Sequence, residues 1–299
     1  MKKQTLYAIF GVAIMTLACT FGGWVGLGTP TTPTQVQVDD VGTFVAGTMQ
    51  ALTAAASEAA TQASTQISGI SVSCENVSFV IPTGAAGGVN AESVPAVGED
   101  SGAPWGVAPA HVKCTLTGYQ LQGKFHQPEI FIYPADEYAQ VQSGAAEQID
   151  RVRKIVAGSA LLQETLPVVP FFNAGPVFAA NMKIVPFQNG SGVRALTQYA
   201  QYSAPVNNRE LFYHFQGLTS DGRYYLIAIL PITAPVLPED EKPEAAVPPD
   251  GVPFPADIGP NEVYYISVTQ KLNSLAPDAY LPSLDALDAL ITSILVTNP

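Results

Sequence analysis

The sequence predicts an α+β fold in which helices cover a central antiparallel sheet, an arrangement similar to an α/β/α sandwich. Four apolar or alternating runs follow one another within residues 177–232 and are joined by turn sequences, which predicts a meander of strands. The last run, at 224–230, is apolar at nearly every position, as expected for a strand covered on both faces. Two stretches with helical spacing of apolar residues, 261–275 and 283–296, close the chain, and a strand is the alternative for the first because of its β-branched content.

The turns and faces of the meander follow from its residue pattern. Residues 189–192 read Asn-Gly-Ser-Gly and residues 219–222 read Thr-Ser-Asp-Gly, and both sequences are typical of tight turns. In the strand between these turns, alternation predicts one face with Leu211, Tyr213 and Phe215 and the other with Phe212 and His214. In the second C-terminal stretch, Ser283 is positioned as a helix N-cap.

The rest of the chain is divided by composition. We expect a signal peptide or membrane anchor at 1–28, a Pro/Thr-rich spacer at 29–43, an Ala-rich helix at 44–68 and a single α+β globular domain at 69–299. Within that domain we expect loops at 82–110 and 238–260, strands at 71–81, 113–122 and 129–133, and an amphipathic helix at 145–166.

The N-terminus has the layout of a bacterial export signal. Lys2 and Lys3 precede an uncharged apolar run, and small residues follow. Residues 16–19, Thr-Leu-Ala-Cys, resemble a lipoprotein signal, which implies lipidation of Cys19. The uncharged stretch 6–27 is also long enough for an uncleaved membrane anchor, and simple cleavage with release is a third possibility. All three predict an extracytoplasmic protein, attached to the cell membrane or secreted.

Charge and hydropathy narrow the classes of partner. Hydrophobic residues make up 47% of the chain and charged residues 13%, so the sequence is core-forming. The formal net charge of −12 repels nucleic acid and anionic lipid headgroups, and we expect no nucleic-acid partner. Membrane attachment is therefore expected through a lipid on Cys19 or the N-terminal apolar segment. A protein or small-molecule partner of unknown identity stays open.

The chain has three cysteines. If Cys19 carries a lipid, Cys74 and Cys114 remain as a pair in an oxidising compartment, which favours a disulfide. Two unpaired, buried thiols are the alternative. A metal site at His111 and Cys114, three residues apart, is a weaker hypothesis that a disulfide would remove.

The sequence contains no motif from which we predict catalysis or a cofactor. Glycines flank Ser191, but its place between two predicted strands indicates a hairpin turn. Near the ends of meander strands, Arg194, Arg209 and Arg223 are candidates for an anion site, or they pair with carboxylates such as Glu210.

The enzyme alternative is a secreted hydrolase or glycan-active enzyme, and it requires titratable groups to converge in a cleft. The groups available for it are Asp136, Glu137, His126, His214 and Asp221.

Three segments, residues 77–82, 123–128 and 215–225, together with the C-terminal helices, resemble uncharacterised exported lipoproteins of bacteria. That resemblance implies export and lipidation but no activity. More loosely, the strand ending at Pro82, the meander and the final helix look like the PsbP-like α/β/α sandwich, which implies an accessory, non-catalytic role. We therefore predict a non-enzymatic binding or interaction lipoprotein of the cell envelope.

Overall fold

The computed structural model describes residues 68–101, 103–159, 167–242, 244–256 and 262–298. The expected signal or anchor with Cys19, the Pro/Thr spacer and the Ala-rich helix up to residue 67 lie outside the described residues. Within these ranges, no helix combines the length and the apolar character that a membrane crossing needs.

The described strands and helices alternate along the chain as follows. The strands are β1 (Gly69–Cys74), β2 (Val77–Pro82), β3 (Gly88–Val94), β4 (His111–Thr117), β5 (Glu129–Pro134), β6 (Gly175–Pro176), β7 (Ala180–Phe187), β8 (Gly190–Thr197), β9 (Tyr199–Ala200), β10 (Phe212–Thr219), β11 (Tyr224–Pro231) and β12 (Leu295–Val296). The helices are α1 (Ala135–Val141), α2 (Ser143–Val156), α3 (Glu262–Asn273) and α4 (Leu284–Thr292). Short 3-10 turns lie at Glu99–Ser101, Pro104–Gly106 and Pro277–Ala279.

A seven-stranded antiparallel sheet in the order β3-β4-β5-β11-β10-β8-β7 forms the centre. A second sheet has the order β1-β2-β12, and β6 pairs with β9. The predicted meander is confirmed as β7, β8, β10 and β11, which are neighbours in the large sheet. The α+β class with a central antiparallel sheet is therefore confirmed.

The central strands β10 and β11 are buried on both faces, as the apolar pattern of β11 predicts. On one face, Tyr213 and Phe215 join a core that α3, α4 and β2 cover. On the other face, Phe212 joins a core that α1 and α2 cover. The predicted apolar side of α3 is confirmed by the burial of Tyr264, Val268 and Leu272. Helices on both faces make the molecule sandwich-like.

The prediction of a single strand at 71–81 is wrong, because the segment is a hairpin. β1 and β2 pair antiparallel, and Cys74 faces Val77 across the turn. Glu75 in this turn has a φ of 51°, a left-handed conformation that is uncommon for a residue with a side chain. Since the turn carries no Gly or Pro, the alternation of apolar residues hid it.

The expected loop at 82–110 contains a full strand, β3, which is the outer strand of the large sheet. Its residues are mostly exposed and include Asn90, Glu92 and Ser93, so it lacks the apolar alternation of a half-buried strand. In the other expected loop, at 238–260, the described residues form only turns and bends.

Two predicted helices are shorter than expected. α2 ends at Val156, and Gly158, with a φ of 70°, follows its last turn. The remainder of the predicted helix, from residue 160 to 166, lies outside the described residues. At the C-terminus, Ser283 caps α4 through a hydrogen bond from the Ala286 amide, as predicted, but the chain then leaves the helix and forms β12 against β2.

Candidate functional site

A groove of about 810 Å³ lies where the β1–β2 turn and the C-terminal residues meet one end of the large sheet. The ends of β3 and β5 and the beginnings of β4 and β11 form its wall, and the first turn of α1 forms its rim. Its lining residues are Glu75, Asn76, Ser93, Val94, Ala110, His111, Val112, Ile132, Pro134, Asp136, Glu137, Arg223, Tyr224, Thr297 and Asn298.

Hydrogen bonds between Asn76 and Thr297 fix one side of the groove. The Asn76 side-chain amide donates to the Thr297 carbonyl at 2.8 Å, and the Thr297 amide donates to the Asn76 carbonyl at 2.8 Å. The Oδ1 atom of Asn76 is buried but accepts no hydrogen bond from the described residues. An unpaired buried acceptor costs about 1–3 kcal/mol.

Charges of both signs line the groove without pairing. The Ala135 amide donates to the Arg223 carbonyl at 2.9 Å, which brings Arg223 beside Asp136 and Glu137 at the start of α1. Glu75 belongs to the turn on the opposite side. None of the ion pairs among the described residues contains any of these four side chains. No close ion pair therefore engages these charges, while the charge of Arg223 adds to the hydrogen bonds from Thr219 and Arg223 that lower the pKa of Asp221.

His111 contributes a neutral ring to the groove. Its Nδ1 atom lies 2.9 Å from the Pro109 carbonyl oxygen, and its ring packs on Tyr133 with centroids 4.3 Å apart. Burial lowers the pKa of His111, and the positive charge of Lys113 adds to that effect. The imidazole is therefore uncharged near neutral pH.

A disulfide joins Cys74 of β1 to Cys114 of β4, which confirms the predicted pair and excludes the alternative of two free thiols. It also removes the hypothesis of a metal at His111 and Cys114, because Cys114 has no thiolate to offer. Among the residues that the structure describes, no group of three or more His, Cys, Asp or Glu side chains is arranged to hold a metal ion. The disulfide is compatible with an extracytoplasmic location.

The three arginines proposed as an anion site do not converge. Arg194 is buried and pairs with Asp288 at 3.1 Å, and Arg209 pairs with Glu241 at 3.0 Å rather than with Glu210. Arg209 precedes β10, whereas Arg223 lies in the β10–β11 turn. The length of β10, about 24 Å at 3.4 Å per residue, separates these two positions. Of the three, Arg223 alone lines the groove.

The side chains that an enzyme would need are divided among three places. Asp136 and Glu137 line the groove, while Asp221 accepts hydrogen bonds from the Thr219 hydroxyl at 2.6 Å and the Arg223 amide at 3.1 Å within its own turn. His214 faces Ile229 on β11, five residues from the groove residue Tyr224 and thus about 17 Å along the strand.

His126 and His214 belong to a separate aromatic cluster. The His126 ring lies 4.4 Å from that of Phe212, centroid to centroid, and His214 places Nε2 2.8 Å from the Val169 carbonyl oxygen. The pKa of each histidine is lowered to about 4, mainly by burial, and the charge of His214 contributes to the lowering at His126. The Nδ1 atom of His214 and the hydroxyl of Tyr199 are buried without partners among the described residues.

Ser191 has an ordinary structural position. It lies in β8, between Pro186 of β7 and Leu218 of β10, and the turn itself is formed by Gln188 and Asn189. The sequence interpretation as a hairpin agrees with this arrangement.

The fold and the groove together define an α+β protein that has helices on both faces of its sheet and an open, charged groove at one end of that sheet. Comparisons with protein-family models, with curated proteins and with solved structures gave no match. The resemblances to exported lipoproteins and to the PsbP-like sandwich therefore stay predictions.

Proposed function

We propose that the protein is a non-enzymatic binding or interaction protein of the cell envelope, and that the groove is its ligand site. The observation that carries this proposal is the set of unpaired charges around the groove. Glu75, Asp136 and Glu137 are negative and Arg223 is positive, and an apolar wall with Val112 and Ile132 lies between them. Pockets that mix an apolar lining with a few charged groups are typical of ligand sites.

The division of the titratable groups favours binding over catalysis. General acid–base chemistry requires a titratable group within hydrogen-bond reach of the proton that it transfers. The two histidines with the most strongly lowered pKa values, His126 and His214, belong to the aromatic cluster and do not line the groove. The groove histidine, His111, uses its Nδ1 atom on the Pro109 carbonyl. For the hydrolase alternative, the groove carboxylates Glu75, Asp136 and Glu137 are the acid–base groups that remain.

The proposal includes export and attachment to the membrane. The basic N-terminus followed by an apolar run supports export, and the disulfide is compatible with it. The Thr-Leu-Ala-Cys sequence supports lipidation at Cys19. Mass spectrometry of the protein extracted from its own envelope tests this part. An N-terminus at Cys19 with a lipid mass agrees with the proposal, and an N-terminus at Met1 contradicts lipidation.

The ligand site is tested by native mass spectrometry of the full chain with whatever small molecule co-purifies. Ser93→Trp inserts a large side chain into the groove from an exposed position of β3. Asn90→Trp adds the same side chain to an exposed position of the same strand that does not line the groove. We expect loss of the bound molecule in the first variant and retention in the second. Equal retention in both would place the ligand elsewhere.

A further inference from the structure

We infer that the ligand of the groove is a free basic α-amino acid, such as lysine, which lies across the strands on one face of the large sheet. This inference rests on the proposed function, since it names the class of molecule that the groove takes. Two features of the groove carry it. Its charged side chains form two groups on opposite sides, and an apolar floor separates these groups.

The floor of the groove consists of side chains that follow one another across the strands. Ser93, Val112 and Ile132 are cross-strand partners on β3, β4 and β5, so their side chains point to the same face of the sheet. Pro134 and Tyr224 form the next row on that face, where β5 pairs with β11. β4 and β11 lie on either side of β5 and are thus about 10 Å apart. A ligand on this floor therefore runs across the strands.

The group of charges near β11 has the composition that an α-amino acid requires. The hydrogen bond from the Ala135 amide to the Arg223 carbonyl, at 2.9 Å, brings Arg223 beside Asp136 and Glu137. A free α-amino acid has a carboxylate and an ammonium group on the same carbon, so it needs a cation and an anion side by side. The guanidinium can bind the carboxylate through two parallel hydrogen bonds, and the side-chain carboxylates can bind the ammonium group.

Glu75 provides the second charged group, above β4. The disulfide holds the Cα atoms of Cys74 and Cys114 6.0 Å apart, and Cys114 follows Val112 on the same face of β4. Because Glu75 comes directly after Cys74, it is held on the opposite side of the floor from Arg223. Its carboxylate forms no ion pair with the described residues. It is therefore the partner for a second ammonium group, in the side chain of the ligand.

The net charge and the floor together favour a basic amino acid over other amino acids. The groove contains three carboxylates and one guanidinium, which complements a ligand with a net positive charge. The His111 ring is neutral near neutral pH and adds no charge that would repel such a ligand. The stem of a lysine or arginine side chain is apolar and covers apolar surface well, as Val112 and Ile132 offer here. An extended lysine has a length comparable to the distance between β11 and β4.

The experiment is an isothermal titration of the full chain, purified in detergent, with lysine and three analogues that each lack one charged group. Norleucine lacks the side-chain ammonium group, ε-aminocaproate lacks the α-ammonium group, and cadaverine lacks the carboxylate. We expect lysine to bind, and each analogue to bind about fivefold more weakly, the effect of losing one solvent-exposed ion pair of about 1 kcal/mol.

An arginine variant assigns the carboxylate of the ligand to its partner. Arg223→Gln should weaken the binding of lysine about fivefold and should not weaken the binding of cadaverine, because cadaverine has no carboxylate to lose. The matched control is Arg209→Gln, which removes an exposed arginine outside the groove and should leave the binding of lysine unchanged.

Variants of the carboxylates assign the two ammonium groups. Glu75→Gln should weaken lysine about fivefold and leave norleucine unchanged, since norleucine has no side-chain ammonium group. The double variant Asp136→Asn, Glu137→Gln should weaken lysine and not ε-aminocaproate, which has no α-ammonium group. Glu147→Gln on α2 is the control for both, because Glu147 is exposed and lies outside the groove.

The outcomes separate this inference from the proposed function. If an analogue binds as tightly as lysine, or if Arg223→Gln and Arg209→Gln behave alike, the assignment of the charged groups is overturned. If neither lysine nor arginine binds while another molecule is lost on Ser93→Trp, the groove is a ligand site and the amino-acid inference is wrong. If Ser93→Trp and Asn90→Trp leave every bound molecule in place, the proposed function itself falls.

Discussion

Arg194 and Asp288 form an ion pair inside the protein, with the Arg194 Nη2 atom 3.1 Å from the Asp288 Oδ2 atom and only 6% and 13% of the two side chains exposed. The pair joins β8 to α4, and the hydroxyl of Tyr213 donates to the other Asp288 oxygen at 2.9 Å. The Arg194 guanidinium also lies 5.8 Å from the centre of the Tyr213 ring. Lys183 is the third donor to the Asp288 carboxylate. Helix α4, which covers one face of the sheet, is thus attached to that sheet through Asp288.

Asp288→Asn should destabilise the protein by about 3 kcal/mol, because it leaves the buried Arg194 charge without its anion. Urea unfolding followed by circular dichroism measures the change. Lys183→Gln is the control, since the Lys183 side chain is 60% exposed and its ion pair should contribute less than about 1 kcal/mol. Equal losses in the two variants would show that burial of the pair is unimportant.

Replacing both Cys74 and Cys114 by Ser should reduce the free energy of unfolding by about 4 kcal/mol. The bridge closes a loop with a sequence separation of 40, and the chain-entropy relation gives a value of that size for the unfolded state. Urea unfolding of the oxidised, the reduced and the doubly substituted protein measures it. The reduced and substituted proteins should agree with each other, and a reductant should not affect the substituted one.

Stability should decrease as the pH falls from about 6.5 to about 4, because the unfolded chain protonates His214 at a higher pH than the folded protein does. The shift from 6.5 to about 4 corresponds to about 3 kcal/mol, lost across that window and constant below it. Urea midpoints at a series of pH values measure the slope. His214→Gln should reduce the slope by about half, because His126, whose pKa is also lowered to about 4, contributes across the same window. His111→Gln should change the slope less, since its ring is only half buried.

Gly192→Ala should destabilise the sheet strongly. Gly192 of β8 faces Gly217 of β10, and the ring of Phe215 covers the pair. A Cβ at position 192 would lie 2.3 Å from the Gln216 carbonyl oxygen and 2.5 Å from the Gly217 Cα, so the two strands would have to separate. We expect a cost of about 3 kcal/mol or a failure to fold. Gly175→Ala, which meets nothing within 4 Å, is the control and should change the melting temperature little.

The central part of the fold was predictable because its signals are local. The sequence around Asn189 and that around Asp221 are turn sequences, and the residues between them alternate in hydrophobicity, so the strands and their two faces follow. The hairpin at Glu75 was missed because its turn uses a residue that rarely has a positive φ. β3 was missed because an exposed outer strand carries no apolar pattern.

The groove was not predictable as a site, because its residues meet only after folding. The lining joins the β1–β2 turn near residue 75, the β3 and β4 ends, the start of α1, Arg223 and the C-terminal Thr297. Three of its charged residues, Asp136, Glu137 and Arg223, were singled out from the sequence as separate candidates. Nothing in their spacing indicates that one backbone hydrogen bond, from Ala135 to Arg223, brings them to the same rim.

The covalent link between β1 and β4 also determines how the protein bears mechanical load. Tension applied to the chain at residue 68 would first peel β1 away from β2, one backbone hydrogen bond after another. The peeling would extend over the six residues of β1 and stop at Cys74, where the bond to Cys114 transfers the pull to an inner strand of the large sheet. Under tension at its N-terminal side, the described part of the protein would lengthen by about 20 Å, and the disulfide would then oppose further extension.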